Sequence, residues 1–300
     1  MPIANIGKVD NKGYELSVNW RDRIHYFRYH IGFNLAYAKN KIVFQDEVPY
    51  PYDYMRKTGK PVGQQMGYKY DGFFSEEDVA KYETERGKSI PDHGTGYIPK
   101  PGDVKYKDLN NDHKIDQYDV AAIGYPVYPL LTGGINLGFS YKGFDFSMTW
   151  SGATKVSRLL DDIFREPFGA TDSRSLMKYM IDDMWTPEKG NSAKAPAISF
   201  TNKVNNYRDS DLWLRDASYL RLKNVEIGYN FSKKILSKIN IGSLRVFATG
   251  YNLLTLDKLK IVDPESRPNG NAMYPVVMVI NMGSVSYTHL RAHETGRNLV

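Results

Sequence analysis

The sequence predicts an all-β fold in which long antiparallel strands form part of a transmembrane barrel. Large apolar residues alternate with small or polar residues in several segments, and a period of two is typical of strands. The connections between these segments alternate strictly between short and long. An antiparallel barrel with tight turns on one rim and long loops on the other explains this asymmetry, whereas a soluble β-sandwich with insertions is the alternative.

The first two predicted strands form a hairpin. In Gly13–Arg21, four large apolar residues share one face and polar residues hold the other. A polar turn at Asp22-Arg23 leads into a longer strand from His25 to Ala38, in which the alternation continues for six apolar residues. The apolar residues of the two strands are Tyr14, Leu16, Val18, Trp20, Phe27, Tyr29, Ile31, Phe33, Leu35 and Tyr37. Unbroken alternation over this length predicts strands.

A second hairpin is predicted within residues 134–151. Its two segments are joined by Lys142-Gly143, and their faces differ in an unusual way, because one is large and apolar while the other is small and polar. The apolar residues are Ile135, Leu137, Phe139, Tyr141, Phe144, Phe146, Met148 and Trp150. A soluble sandwich would more often place bulky aliphatic residues inward and charges outward.

Three further strands are predicted within Tyr219–Phe231, Ser243–Leu254 and from Val276 onward, which gives seven strands in total. The short connections are Arg21–Ile24, Tyr141–Phe144 and Ser232–Gly242. The long loops are expected to contain short helices. One begins at Ser75, which can form a capping box with Asp78, and another lies near residues 173–185.

Composition narrows the possible classes of protein. The 300 residues are 41% hydrophobic with a mean hydropathy of -0.51, which suits a soluble protein and equally a barrel in which only alternate residues face lipid. The sequence contains no run of 18 or more apolar residues, so no transmembrane helix is predicted. The 23 tyrosines suit a membrane interface or a sugar-binding surface. The net charge of +6 is spread along the chain, so no nucleic-acid partner is expected.

Catalytic chemistry finds no support in the sequence. There is no cysteine, which excludes disulfides, thiolate zinc sites and cysteine nucleophiles. No nucleophile elbow, zinc-protease helix or phosphate-binding loop occurs, and the paired carboxylates at Asp161-Asp162 and Asp182-Asp183 are expected on solvated helical faces. We therefore expect a protein that is not an enzyme and requires no cofactor.

One acidic loop predicts a structural calcium ion. Its oxygen ligands occupy alternate positions, as in the EF-hand loop. They are Asp108, Asn110, Asp112, Asp116 and Asp119, with the main-chain carbonyl of Lys114. Two features depart from that loop, because His113 replaces the usual glycine and Asp119 is shorter than the usual bidentate glutamate. The alternative is a cluster of Asx turns satisfied by its own backbone.

Aromatic residues in the first long loop have three possible roles. They could stack on sugar rings, contact a partner or pack the loop onto itself, and the last role is the favoured interpretation. They are Tyr50, Tyr52, Tyr54, Tyr68, Tyr70, Phe73 and Phe74.

Eight stretches between Asn5 and Met282 carry a resemblance to a known family. They are NIGKVDNKGYELSVNW, YAKNKIV, TGKPVGQQMGYKYDGFFSEEDV, GDVKYKDLNNDHKID, IGYPVYPLLTGGINLGFSYKGFDFSMTWSG, LRDASYLRLKNVEIGYNF, LRVFATGYNLLTL and DPES. In this order and spacing they resemble the C-terminal part of the SusC/RagA family of TonB-linked outer-membrane proteins.

The resemblance implies a barrel of about 22 strands, of which this chain supplies about the last seven. It also implies an N-terminal plug and a TonB-engaging motif that the chain lacks, so Met1 is expected to be an internal start. The implied partners are a SusD-like surface lipoprotein, the TonB complex through the missing N-terminal part, outer-membrane lipid, and an oligosaccharide or peptide substrate for uptake. The alternative function is a soluble calcium-dependent carbohydrate-binding β domain.

The far C-terminus departs from the family pattern. Ser284, Ser286 and Thr288 stand where a last barrel strand should carry apolar residues. The stretch SVSYTHLRAHETGRNLV resembles read-through from foreign DNA. We therefore assign residues 1–283 to the barrel portion and residues 284–300 to a non-native tail.

Overall fold

The computed structural model describes residues 6–168, 174–201, 203–239, 241–266 and 276–287. Its main element is one antiparallel sheet of seven strands, which we call the wall. The strands lie side by side in sequence order, each hydrogen-bonded to the next. They are β1 (Lys8–Ile24), β2 (Phe27–Phe44), β3 (Leu131–Tyr141), β4 (Phe144–Thr154), β5 (Tyr219–Asn230), β6 (Ser243–Asp257) and β7 (Val279–Tyr287).

The seven predicted strands are confirmed, but the first hairpin is longer than expected. A tilted strand crosses a bilayer in about 9–11 residues, whereas β1 has 17 and β2 has 18. The extra pairs lie at both ends of the alternating segment. The predicted turn at Asp22-Arg23 is wrong, because these residues pair with Tyr29 and Arg28 inside the hairpin. The turn itself is His25-Tyr26, and His25 has a positive φ of 56°.

The other short connections lie on the same rim of the wall. Lys142 and Gly143 both have positive φ, at 45° and 95°, which a two-residue turn between twisted strands requires. The connection between β5 and β6 holds one helical turn, α5 (Lys233–Leu236). Strand β7 ends on this rim, and its residues 284–287 pair with the first residues of β6. Residues 288–300 of the predicted tail lie outside the described residues, and the boundary at 283/284 stays a prediction.

The three long connections share the opposite rim and have more structure than the sequence predicts. They contain α1 (Glu76–Glu85), α2 (Asp162–Arg165), α3 (Lys178–Asp183) and α4 (Lys203–Asn206). They also contain three two-stranded ladders, Met66–Gly67 with Ala121–Ala122, Tyr70–Phe73 with Val104–Tyr106, and Ser157–Leu159 with Leu214–Asp216. The capping box of α1 is confirmed, because the Ser75 hydroxyl accepts a hydrogen bond from the Asp78 N–H at 3.1 Å and the Asp78 carboxylate accepts one from the Ser75 N–H at 3.0 Å.

The second predicted loop helix is shorter than expected. Only α3, six residues long, forms within the predicted range, and residue 173 lies outside the described residues. Among the described residues, no helix is long and apolar enough to span a membrane.

The hydrophobic core lies in the loops and not between layers of sheet. One cluster of buried side chains joins all three long connections, and we call the body that it stabilises the loop domain. Its members are Phe73, Val104, Tyr106, Ile115, Val156, Leu160, Ala193, Ala195, Leu212, Trp213, Ala217 and Leu259. The chain therefore folds as a two-faced wall that carries a compact body on one rim.

Candidate functional site

One face of the wall is a continuous apolar surface. The strand register places Val18 opposite Phe33, Phe33 opposite Ile135, and Ile135 opposite Trp150, so large apolar residues meet across four strands. Many stay exposed, with 57% of Trp20 and 49% of Ile227 accessible. An apolar surface of this extent on a protein requires a non-aqueous neighbour. Lipid is the neighbour that suits a flat surface of alternating strands.

Aromatic rings mark the apolar face close to the short turns. Phe27 and Phe139 have ring centroids 5.5 Å apart, and Phe139 and Phe146 follow at 5.4 Å. Phe144 and Tyr229 are 4.7 Å apart on the neighbouring strands. A band of aromatic rings at this level is typical of the membrane–water interface of a barrel.

The opposite face is polar, and its glycines make room for long polar side chains of adjacent strands. A Cβ atom on Gly138 would lie 2.2 Å from the His30 ring, and one on Gly32 would lie 2.9 Å from the Asn19 amide oxygen. At Gly138 a Cβ would also lie 2.9 Å from the backbone oxygen of Phe146, so a larger residue there requires its neighbours to move. The face stays thin and hydrophilic, as the lining of an aqueous passage should be.

A three-residue ion network crosses the polar face near the short turns. The Arg245 Nη2 atom lies 2.5 Å from Asp145 Oδ1 and 2.6 Å from Glu226 Oε1. These residues belong to β6, β4 and β5, so one arginine binds a carboxylate of the adjacent strand and a carboxylate of the strand beyond it. Gly228 lies under the network, since a Cβ there would be 2.5 Å from Arg245 Nη2.

A buried polar network fastens the first and second long connections inside the loop domain. His93 Nδ1 lies 2.9 Å from Asn205 Oδ1, while Asn205 Nδ2 donates to the Val104 carbonyl at 2.9 Å. Because the Asn205 amide nitrogen donates elsewhere, its oxygen accepts and His93 carries its proton on Nδ1. Burial lowers the pKa of His93 to about 4, although the bond to Asn205 opposes that change. The ring is therefore neutral at ordinary pH.

In the predicted calcium loop, side-chain oxygens accept hydrogen bonds from backbone N–H groups of the same loop. The Asp108 carboxylate accepts from the N–H groups of Asn111 and His113, both at 2.7 Å. Asn111 and His113 have φ of 60° and 61°, so His113 adopts the left-handed conformation that glycine would favour. These contacts are Asx turns.

The remaining predicted ligands lie in the same loop. Asn110 and Asp112 bond to each other, Lys114 donates its N–H to Asp112 at 2.9 Å, and buried Asp119 accepts from the N–H groups of Leu109 and Asp116. Burial raises the pKa of Asp119, and the charges of Asp108 and Asp116 add to the effect. Within the described part of the chain, no group of three or more acidic or histidine side chains converges to hold a metal. The calcium interpretation stays a prediction.

Most of the loop aromatics pack the loop domain onto itself. Phe73 and Phe74 are buried, and the Tyr68 and Tyr106 rings pack in a tilted arrangement at a centroid distance of 5.2 Å. Tyr52 stacks on Tyr54 at 5.3 Å and stays partly exposed. The favoured interpretation of these residues therefore agrees with their positions.

The third long connection is anchored to the wall by a buried arginine that the sequence analysis missed. Arg221 of β5 is 1% exposed and lies opposite Ser151 and Thr255, on the polar face. Its Nη2 atom is 2.5 Å from Asp263 Oδ2 and its Nη1 atom is 2.7 Å from Glu265 Oε2. The only signal in the sequence was the DPES stretch, which contains both carboxylates.

Further donors complete this anchor. Glu265 accepts from Lys223 Nζ at 2.7 Å and from the Tyr219 hydroxyl at 2.7 Å, and Arg158 donates to the Asp263 carbonyl at 3.3 Å. Burial alone would raise the pKa of Glu265, but the bonds from Lys223 and Tyr219 and the charge of Arg221 outweigh it, so the pKa is lowered. The segment that contains Asp263 is thereby held over the polar face, at the rim where the long connections lie.

Comparison with known proteins gives relatives over nearly the whole chain. No family model matches it. TonB-dependent receptor P3 of Formosa agariphila is 28% identical over 314 residues, which cover 99% of this chain and 29% of that receptor. TonB-dependent receptor SusC of Bacteroides thetaiotaomicron is 25% identical and covers 93% of this chain and 26% of that protein. The resemblance to the TonB-dependent receptors of the SusC type is confirmed.

Solved structures of the RagAB peptide transporter share the fold of this chain. One aligns with a TM-score of 0.68 and 21% identity, covering 94% of this chain and 29% of the other. The structure in the closed-closed state aligns with a TM-score of 0.67 and 22% identity. The relatives are named as receptors and importers and not as enzymes, in agreement with the expected lack of catalysis. The chain spans about three tenths of the length of the curated relatives it matches.

Proposed function

We propose that this chain forms part of the wall of an outer-membrane transporter for nutrient uptake. The observation that carries the proposal is the two-faced wall, with exposed apolar residues on one side and glycines and small polar residues on the other. In a bilayer the first face contacts lipid, and the second lines the passage. All three long connections lie on one rim, as the extracellular loops of an outer-membrane barrel do.

The complete barrel has about 22 strands, a number known for plugged outer-membrane transporters. Within the described residues, β1 and β7 each hydrogen-bond to only one neighbour, so the sheet is open on both sides. An open sheet edge is not tolerated in hydrocarbon, because its N–H and C=O groups would stay unpaired. Other strands of the barrel therefore pair with both edges.

The transported substrate is an oligosaccharide or a peptide, captured at the rim that carries the loop domain. A SusD-like lipoprotein contacts this rim, and the TonB complex acts through a part of the transporter other than this wall. Solved structures of the RagAB peptide importer, which share the fold of this chain, support the peptide class. This wall supplies the passage and the loops, and we assign no catalytic role to it.

Membrane association tests the proposal directly. A full-length transporter that contains this chain and the strands that pair with its two edges should stay in the membrane fraction after extraction with alkaline carbonate or high salt, and detergent should release it. Peripheral proteins are the control and are removed by carbonate. A chain that folds as a soluble monomer in plain buffer would contradict the wall and would favour a soluble calcium-dependent carbohydrate-binding domain instead.

A further inference from the structure

The first wall strand has a long edge without a partner. Along its 17 residues β1 pairs with β2 only, and every one of these residues is exposed. The apolar side chains near its middle are accessible to 49% at Leu16 and 57% at Trp20. A regular strand with a free row of N–H and C=O groups accepts a further strand.

Three arginines lie near the short-turn end of this edge, on the polar face. Arg21 and Arg23 belong to β1, and Arg28 of β2 lies directly opposite Arg23. We call them the arginine patch. Like charges directly opposite one another destabilise a sheet. In the part of the chain that the structure describes, none of the three takes part in an ion pair (the salt bridges in β1–β6 involve other residues).

Asp22, the carboxylate between the two β1 arginines in the sequence, and the remaining cross-strand neighbour do not neutralise the patch. Asp22 has the opposite parity and so lies on the other face, where its carboxylate accepts from the Arg23 backbone N–H at 2.6 Å. The residue opposite Arg21 is His30, which offers no negative charge.

The same rim and face show how the wall neutralises an arginine elsewhere. Arg245 of β6 binds Glu226 of the adjacent strand β5 at 2.6 Å and Asp145 of β4, the strand beyond it, at 2.5 Å. For β1, the adjacent strand β2 contributes Arg28 and His30 at these positions, and β3 beyond it contributes Ser140 and Gly138. Neither of these two strands offers a carboxylate at the level of Arg21 and Arg23, so the open side of β1 is the place left for one.

We propose that the open edge of β1 receives an antiparallel strand that carries carboxylates facing Arg21 and Arg23. The other face of this strand is apolar and continues the lipid-facing surface beside Leu16, Val18 and Trp20. The proposal rests on the proposed barrel wall and adds the chemistry of the neighbouring strand. Its ligand is an acidic, alternating polypeptide segment.

Synthetic strands of about 11 residues test the proposal on the full chain folded in detergent micelles. Three labelled peptides share one alternating apolar face and carry two Glu, two Gln or two Lys at the same polar positions. We expect the Glu peptide to bind about fivefold tighter than the Gln peptide at low salt, since opposite charges across strands attract. The Lys peptide should bind more weakly than both, and about 1 M salt should remove the differences.

Two double variants assign the effect to the patch. Arg21→Gln with Arg23→Gln should abolish the preference for the Glu peptide. Lys8→Gln with Lys12→Gln removes the same charge from the other end of β1 and should keep the preference. Equal binding of the Glu and Gln peptides, a preference that survives in the arginine variant, or binding of none of the peptides would overturn the proposal.

A disulfide experiment fixes the position of the bound strand. The chain has no cysteine, so Asn19→Cys is the sole thiol. A cysteine moved along the Glu peptide should cross-link fastest at the position that brings a glutamate opposite Arg21, and cross-linking without positional preference would contradict the pairing. The carbonate extraction described above reports on the barrel wall separately, so the two ideas fail in different assays.

Discussion

Replacing Arg221 by methionine should detach the third long connection from the wall. Methionine keeps most of the volume of the buried side chain but removes the charge that Asp263 and Glu265 bind. Both carboxylates would then remain partly buried without their main partner. The substitution tests whether this arginine holds the loop over the polar face.

The magnitude follows from the burial of the three side chains. Breaking a buried ion pair by removing one partner costs about 3–5 kcal/mol when the orphaned charge is fully desolvated. Here Asp263 is 16% exposed and Glu265 is 25% exposed, and Glu265 keeps Lys223 and Tyr219. We therefore expect the free energy of unfolding to fall by about 2–3 kcal/mol.

The assay combines urea unfolding in detergent micelles with hydrogen exchange of the segment around residues 258–266. Lys258→Met is the matched control, because Lys258 lies in the same connection but its ion pair joins it to Asp216 of the second connection, and the two side chains are 79% and 44% exposed. Such a pair should contribute less than about 1 kcal/mol. Adding Asp263→Asn and Glu265→Gln to Arg221→Met should restore part of the loss, since no charge is then left unpaired.

An equal effect of Arg221→Met and Lys258→Met on unfolding would refute this reasoning. So would unchanged exchange rates in the segment, because the loop would then be held by other contacts.

Three further predictions concern the wall, the loop domain and the acidic loop. Gly138→Leu should prevent stable folding of the wall, because any side chain there meets the His30 ring. Gly7→Ala is the control and should fold normally, because no atom lies closer than 3.8 Å to the added Cβ. The difference in gel mobility between heated and unheated samples measures folding in both variants. The free energy of unfolding, followed by near-ultraviolet circular dichroism, should fall by up to about 3 kcal/mol as the pH is lowered from 6.5 to 4. The reason is that His93 binds a proton in the unfolded state in this range but stays neutral when it is buried in the folded state. His93→Gln should remove this pH dependence. If the acidic loop binds calcium, chelator should lower the melting temperature of the protein but not that of Asp108→Ala, while identical melting with and without chelator would end that interpretation.

Local patterns account for what the sequence predicted correctly. The wall strands could be predicted because residues two apart in a strand lie on the same face of the sheet, so the alternation of each strand is recognised in the sequence without knowledge of its partners. The same reasoning failed at Asp22-Arg23, because a polar pair resembles a turn even where a strand continues beyond the apolar band. The capping box of α1 was found because it needs only residues three apart.

Contacts between distant parts of the chain could not be predicted in this way. His93 meets Asn205 across 112 residues, and Arg221 meets Asp263 across 42. In the sequence, each of these residues looks like an ordinary polar residue of a loop or strand. The arginine patch was hidden for a related reason, since only the register of β1 with β2 shows that Arg23 and Arg28 are opposite each other.

The single core of the loop domain has a consequence for how such a wall can change its specificity. Phe73, Leu160 and Leu259 come from three different hairpin connections, yet they pack in one cluster. A substitution that alters the volume of one loop must therefore be accommodated by the other two. The loops of an antibody can diversify independently, but these three loops cannot. A new binding surface on this rim requires matched changes in all three.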